Sequence, residues 1–252
     1  MTRGGPRLDQ HRRRQLAQGY LQGSERYDRV RPGYPLEAVD WLVPKGSAGA
    51  ADIGAGTGKF TRALVDRGLE VVAVDPSTDM LAILRGTLPE VRTVVGTAES
   101  TGLETGSVDF IVIAQAWHWC DAYAAGAEAT RILVAGGRLG LVWNQLDVSL
   151  PWVHRLSRIM HAGDVFRPEY RPDPGPTLAG LESHVTRWTQ SLTTGDIVDL
   201  AKSRSYYQNA SETTRRKVEG NLDWYLHEHL GFSAAECLDL PYFTHSWRAH
   251  TG

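Results

Sequence analysis

The strongest chemical signal in the chain is the run Ala51-Asp52-Ile53-Gly54-Ala55-Gly56-Thr57-Gly58-Lys59-Phe60, read together with Asp75. Three glycines at alternate positions remove three Cβ atoms where a strand turns into a helix. The backbone there can take positive φ, and a ligand can lie directly against it. The helix that follows presents free N–H groups and a dipole that attract an anionic group. Asp75 ends the apolar run Val71-Val72-Ala73-Val74, seventeen residues past Gly58. An acid at the carboxyl end of a second strand is placed to accept hydrogen bonds from ribose hydroxyls. The pair reads as a nucleoside site; a tight turn without a ligand is the simpler alternative.

Spacing narrows the nucleoside. A dinucleotide fingerprint needs a glycine where Lys59 stands. A phosphate-binding Walker loop needs a glycine at Ile53 and a hydroxyl at Phe60, so it fails twice. What remains is acid-x-Gly-x-Gly-x-Gly, and on these residues the chain resembles the class I S-adenosylmethionine-dependent methyltransferases. The resemblance implies that S-adenosylmethionine is the cofactor. Asp52 would hold its methionine amino group, the backbone of Gly54, Gly56 and Gly58 would lie against it, and Asp75 would take the ribose. It extends cofactor contacts to Pro76, to Met80 against the adenine, to Ala98 and Glu99 after the third strand, and to Gln115. Met80 could equally be core, and Glu99 could equally cap the following turn.

The second informative stretch is Gln115-Ala116-Trp117-His118-Trp119-Cys120-Asp121, which leaves a fourth strand at its carboxyl end, where ligands of open α/β folds sit. Two tryptophans around a histidine offer an apolar wall with one proton-accepting group. His118 is either a general base or a structural histidine. The pattern is similar to that of the methyltransferase type 11 or trans-aconitate methyltransferase-like branch, with Cys120 where an aromatic residue is usual. The segment Ser24–Pro35 resembles the cover that precedes the fold in that branch, with Tyr27, Arg31 and Tyr34 toward the acceptor; a packed N-terminal segment with Tyr27 and Tyr34 in a core is the equal alternative. Trp117, Trp119, Asn144 and Tyr206 complete the expected acceptor side. Tyr27–Tyr34 and Trp117–Trp119 are expected to meet over the donor. No metal is expected: His118 and Cys120 lack nearby partners, and His227-Glu228-His229 is not an i, i+4 pair.

These residues need a scaffold, and the chain alternates as a doubly wound α/β sheet should. Strands are expected at Ala50–Ile53, Glu70–Val74, Val91–Val95, Ser107–Ala114 and Arg138–Trp143, the last after the turn Ala135-Gly136-Gly137. Helices are expected at Lys59–Asp66, Asp79–Arg85, Tyr123–Leu133 and Leu150–Ala162. Val185–Leu192 and Leu238–Ala249 read as terminal strands separated by helices Gly195–Asn209 and Ser211–His229. Pro241 suggests an edge or a bulge. The resemblance makes this a seven-stranded, mostly parallel Rossmann-like sheet with an antiparallel C-terminal strand. Residues 1–24, with His11-Arg12-Arg13-Arg14, read as a flexible segment, and 25–252 as one domain with an N-terminal cover (25–48). A lid or acceptor insert is expected at 150–182, carrying Arg167, Tyr170 and Arg171.

At 252 residues and 42% hydrophobic, the chain can bury one large core. Its formal net charge of −2 gives no support to a nucleic-acid surface. Cys120 and Cys237 cannot form a disulfide framework, which suggests a reducing, cytoplasmic setting. No apolar run approaches the roughly 20 residues of a membrane span, and Met1–Arg14 does not read as a secretory signal. The expected function is methyl transfer to an O, N or C acceptor, a small molecule rather than a nucleic acid. A non-catalytic S-adenosylmethionine-binding module and an RNA methyltransferase are the alternatives. Oligomeric state is not legible.

Overall fold

The computed structural model describes residues 30–161 and 170–252. The expectations for residues 1–24, Tyr27 and Arg167 lie outside these residues. The elements are α1 (Leu36–Leu42), β1 (Gly49–Ile53), α2 (Lys59–Val65), β2 (Glu70–Asp75), α3 (Thr78–Thr87) and β3 (Arg92–Val95). Then come β4 (Val108–Ala114), a 3₁₀ turn at Trp117–Trp119, α4 (Ala122–Ile132), β5 (Leu133–Leu146) and α5 (Pro151–Ile159). The chain ends with β6 (Ala179–Thr193), α6 (Thr194–Lys202), α7 (Ser205–Gln208), α8 (Glu212–Asp223), a π-helical turn at Trp224–His229, and β7 (Cys237–His250).

The seven strands form one sheet in the order β3-β2-β1-β4-β5-β7-β6, with β7 antiparallel to both neighbours. The inner parallel strands β2 and β4 are near-continuous apolar runs because helices cover both faces, whereas the edge strand β3 is only partly buried. Alternate residues of the inner strands feed two cores. Phe110 and Val112 of β4 pack with Val39, Leu42, Phe60 and Leu64 of α1 and α2. Ile111 and Ile113 pack with Ala125, Ala129 and Ile132 of α4. A third core joins the ends of β5, β6 and β7 to α5, α6 and α8 through Leu146, Leu192, Leu240, Leu156, Leu200 and Leu222. These helices form a cap past the carboxyl end of β5. Ala179–Glu182, expected in the insert, open β6 instead.

Three sequence expectations need correction. Ala135-Gly136-Gly137 lies inside β5: Leu133 already pairs with Val108, and a register shift with Gly136 at φ 74° absorbs the turn. The helix expected over Gly195–Asn209 breaks at Ser203 and Arg204. Arg31 Nη2 donates to the Ser203 carbonyl at 2.9 Å, and Arg204 is extended at ψ 145°. Pro241 sits in an interior strand, not at an edge. Its carbonyl accepts from Asp147 N at 2.9 Å on the side where β5 has already ended, so the missing N–H costs no ladder bond.

Candidate cofactor and active site

β1 lies between β2 and β4, so its carboxyl end opens at the point where the strand order reverses, the usual ligand crevice of such sheets. The chain turns there through Gly54, Gly56 and Gly58 at φ 72°, 56° and 90°. Gly54 N and Ala55 N both donate to Val74 O, at 2.8 and 3.1 Å, which pins the turn to β2. The three glycines have different reasons to be glycine. A Cβ on Gly54 would meet Ala116 Cβ at 2.9 Å, and one on Gly58 would meet Leu84 Cγ at 2.9 Å. A Cβ on Gly56 would meet nothing within 4 Å. Gly54 and Gly58 therefore serve close packing, while Gly56 borders open space.

Two acids bracket this turn. Asp75 accepts from Gly56 N at 2.9 Å through one carboxylate oxygen and from Ser77 N at 2.8 Å through the other. Burial raises its pKa, and the two N–H bonds oppose the rise. Each oxygen keeps acceptor capacity for a further donor. Asp52 is fully buried, and Thr61 Oγ1 donates to its Oδ2 at 2.7 Å. Its Oδ1 has no hydrogen-bond partner. Burial, with a smaller push from the Asp75 charge, raises the Asp52 pKa to about 7 against the bond from Thr61. A buried acceptor without a donor is costly unless something polar or cationic approaches it. Those two features, the unpartnered Oδ1 and the open side of Gly56, fit a nucleoside ligand that carries an ammonium group.

The remaining cofactor candidates lie along the same edge. Pro76 is exposed beside Asp75. Met80 is buried on α3, with its N–H capped by Ser77 Oγ at 3.3 Å. Ala98 is buried in a tight turn closed by Thr97 and Ser100. Glu99 accepts from Asp121 N at 2.8 Å and so ties the loop after β3 to the start of α4, which Asp121 caps. Gln115, at φ 59°, is a strained non-glycine exit from β4, held by its N–H on Val142 O at 2.8 Å.

The exit directs the Trp117–Trp119 turn. Trp117 enters the α4-side core at 4% exposure, and its indole N–H donates to Asp173 O at 3.2 Å. Trp119 and His118 are exposed, their rings 4.6 Å apart. Although His118 keeps solvent-accessible surface, desolvation by the neighbouring protein lowers its pKa from the ordinary value, so it is neutral at pH 7 and can accept a proton.

The expected acceptor residues do not gather into one wall. Tyr34 packs edge-on against Phe60 at 4.8 Å, on the face of the sheet opposite Trp117. Arg31 bonds Ser203 through Nε and Nη2 at 3.0 and 2.9 Å, anchoring the cover to α6. Asn144 is buried; its Nδ2 donates to Gly33 O at 2.7 Å and its Oδ1 accepts from Thr244 Oγ1 at 2.6 Å. Both hold the cover in place across the edge of the sheet. Tyr206 stacks on His161 at 3.8 Å in a groove of the cap that contains none of the nucleoside-side residues. Sequence reasoning missed Thr61 and Ser77. A threonine on the buried face of α2, beside a strand-end acid, was the available signal for the first.

The methyltransferase domain family matches residues 51–141. A protein of Mycobacterium tuberculosis named an uncharacterized methyltransferase is 42% identical over 239 residues, covering 94% of this chain and 97% of that one. A Saccharomyces cerevisiae protein named a probable S-adenosylmethionine-dependent methyltransferase is 33% identical over 264 residues, covering 86% and 90%. Among solved structures, one from Anaeromyxobacter dehalogenans described as a type II methyltransferase superposes with TM-score 0.69 at 26% identity, covering 87% and 97%. With the glycine turn and its two acids in place, the chain belongs to the S-adenosylmethionine-dependent methyltransferases of the class I fold.

Proposed function

We propose that the protein transfers a methyl group from S-adenosylmethionine to an oxygen, nitrogen or carbon atom of a small molecule held between the Gly-rich turn, the His118 loop and the helical cap. The observation that carries the cofactor half is the fully buried Asp52 carboxylate with its unpartnered Oδ1 beneath the glycine turn. Asp52 and its Oδ1 have no exposed surface, so Asp52 acts on the ligand's ammonium group through the field of a buried charge. Asp75, fixed by Gly56 and Ser77, offers its remaining lone pairs to ribose hydroxyls. Gly56 leaves room for the ligand, and Met80 with Pro76 flanks the nucleoside end.

When bound, S-adenosylmethionine supplies an activated methyl group on a positive sulfur, which an in-line acceptor displaces. The protein's task is then positioning and exclusion of water. His118 is on a turn whose neighbour Ala116 lies within 2.9 Å of where a Gly54 Cβ would stand, so its loop borders the donor end. We assign it the acceptor's proton, with Trp119 as the apolar side of the same turn. Tyr34, Arg31, Asn144 and Trp117 are positioning residues here, because each is committed to a protein partner. A net charge of −2 favours a small molecule over a nucleic acid, and two cysteines outside any disulfide suit a reducing, cytoplasmic setting. Among the described residues no helix is long and apolar enough to cross a membrane.

The test is a metabolite screen with purified full-length protein, read as acceptor-dependent release of S-adenosylhomocysteine. A small molecule that raises release, with loss of that release in His118→Ala, supports the reading. Stimulation by RNA alone, falling steeply with salt, contradicts it.

A further inference from the structure

A second concave site lies in the cap. α5 and α8 flank an open groove of about 690 Å³ lined by Arg155, Arg158, His161, Tyr206, Lys217 and Asn221 among others, with no carboxylate among the described residues of the lining. Arg155 is preorganised: its guanidinium stacks over Trp224 at 5.0 Å and Tyr225 at 5.4 Å, on the π-helical turn after α8. That leaves the N–H edges of a flat fork to meet a ligand. Among the described residues, the side chains of Arg155, Arg158 and Lys217 have no hydrogen bond or ion pair. Two acids of α8 are paired elsewhere, Glu212 with Arg216 at 3.1 Å and Glu219 with Lys202 at 3.0 Å. Tyr206 stacked on His161 at 3.8 Å adds a flat aromatic wall.

Arg155, Arg158 and Lys217 face one open groove whose lining, among the described residues, holds no carboxylate, so an anion that enters it meets positive charge on several sides. We propose that this groove binds a small polyanion bearing phosphate or carboxylate groups. Arginine forks recognise both oxyanions in bidentate fashion, and Lys217 adds a point charge. The chain's net charge of −2 argues against an extended nucleic-acid track. None of the nucleoside-side residues lines the groove, so the proposal does not rest on the methyl-transfer reading.

The experiment is calorimetric titration of the full chain at low salt with inorganic pyrophosphate and, separately, with citrate. The variants are Arg158→Gln/Lys217→Gln, with Arg85→Gln on α3 as a control for loss of a surface charge away from the groove, each checked for folding by circular dichroism. Because Arg158 and Lys217 are exposed, folding is not at stake. At least one of the two anions is expected to bind, about tenfold or more weakly in the double variant, as expected for loss of one strong charged contact. Arg85→Gln should leave that affinity unchanged, and S-adenosylhomocysteine affinity should stay within about twofold in the double variant, since binding energies of separate sites are independent. Binding of pyrophosphate alone identifies a phosphate ligand, and of citrate alone a carboxylate. If neither anion binds, or if the double variant binds as the natural chain does, the proposal is overturned.

Discussion

Replacing Asp52 with Asn should stabilise the protein and weaken its ligand binding at once. The folded state holds the Asp52 proton up to about pH 7, whereas the unfolded chain releases it near 3.8. Between those values the folded state binds more protons, so the natural chain loses stability as pH rises. The slope reaches about 1.4 kcal/mol per pH unit and vanishes above pH 7. The whole rise corresponds to on the order of 4 kcal/mol. Asn removes the charge but leaves an amide N–H where Oδ1 has no partner, at a cost of about 1–3 kcal/mol. The net gain at pH 8 is therefore about 1–3 kcal/mol. Urea unfolding of both proteins from pH 4.5 to 8.5 measures it. The advantage of Asp52→Asn should grow with pH through 6.5 and level off above 7, while S-adenosylhomocysteine affinity at pH 8 falls about tenfold. A difference in stability that is flat across this range would refute the reasoning.

The glycines should separate packing from binding. Gly58→Ala puts a Cβ 2.9 Å from Leu84 at φ 90° and should cost about 2–3 kcal/mol in chemical denaturation. Gly56→Ala, with nothing within 4 Å, should cost only about 1–2 kcal/mol for its positive φ yet reduce S-adenosylhomocysteine affinity more than Gly58→Ala does among the folded fraction. Asn144→Ala removes the partner of Gly33 O and of Thr244 Oγ1, and should cost about 1–3 kcal/mol. Its mark should be faster amide exchange at Val30–Tyr34. Once an acceptor is known, His118→Ala should lower turnover with cofactor affinity nearly intact. The acid limb of the natural turnover profile should lie below pH 6.5, because the His118 pKa is depressed. Equal turnover across pH would remove the proton-accepting role alone.

The glycine turn and Asp75 were legible because their meaning is local: strand, three glycines, helix, strand, acid follow within 25 residues of sequence, and the Gly56–Asp75 bond spans |i−j| of 19. The roles of Arg31 and Asn144 were not legible, because they depend on Ser203 and Gly33, separated from them by 172 and 111 residues. The aromatic segments illustrate a second limit. Which face a loop side chain joins depends on how the strand is left, and here the strained Gln115 at φ 59° sets the exit. Trp117 went to the α4 side and Tyr34 to the α2 side, although both lie near the carboxyl edge. Likewise, the helix expected through Ser203 has ordinary helical composition. At the break Arg31, arriving from the cover, takes the Ser203 carbonyl, a contact that local composition does not announce.

The central claim is that Asp75, locked between Gly56 and Ser77, holds the ribose of an adenosyl ligand whose charged end is governed by Asp52. Its most direct test is calorimetric titration of S-adenosylhomocysteine into the full chain and into Asp75→Ala and Asp52→Ala, with folding verified first. One ligand per chain is expected for the natural protein. Asp75→Ala should weaken binding by about 1–3 kcal/mol through unpaired ribose hydroxyls, and Asp52→Ala should weaken it as well. Affinity unchanged in both folded variants would contradict the site.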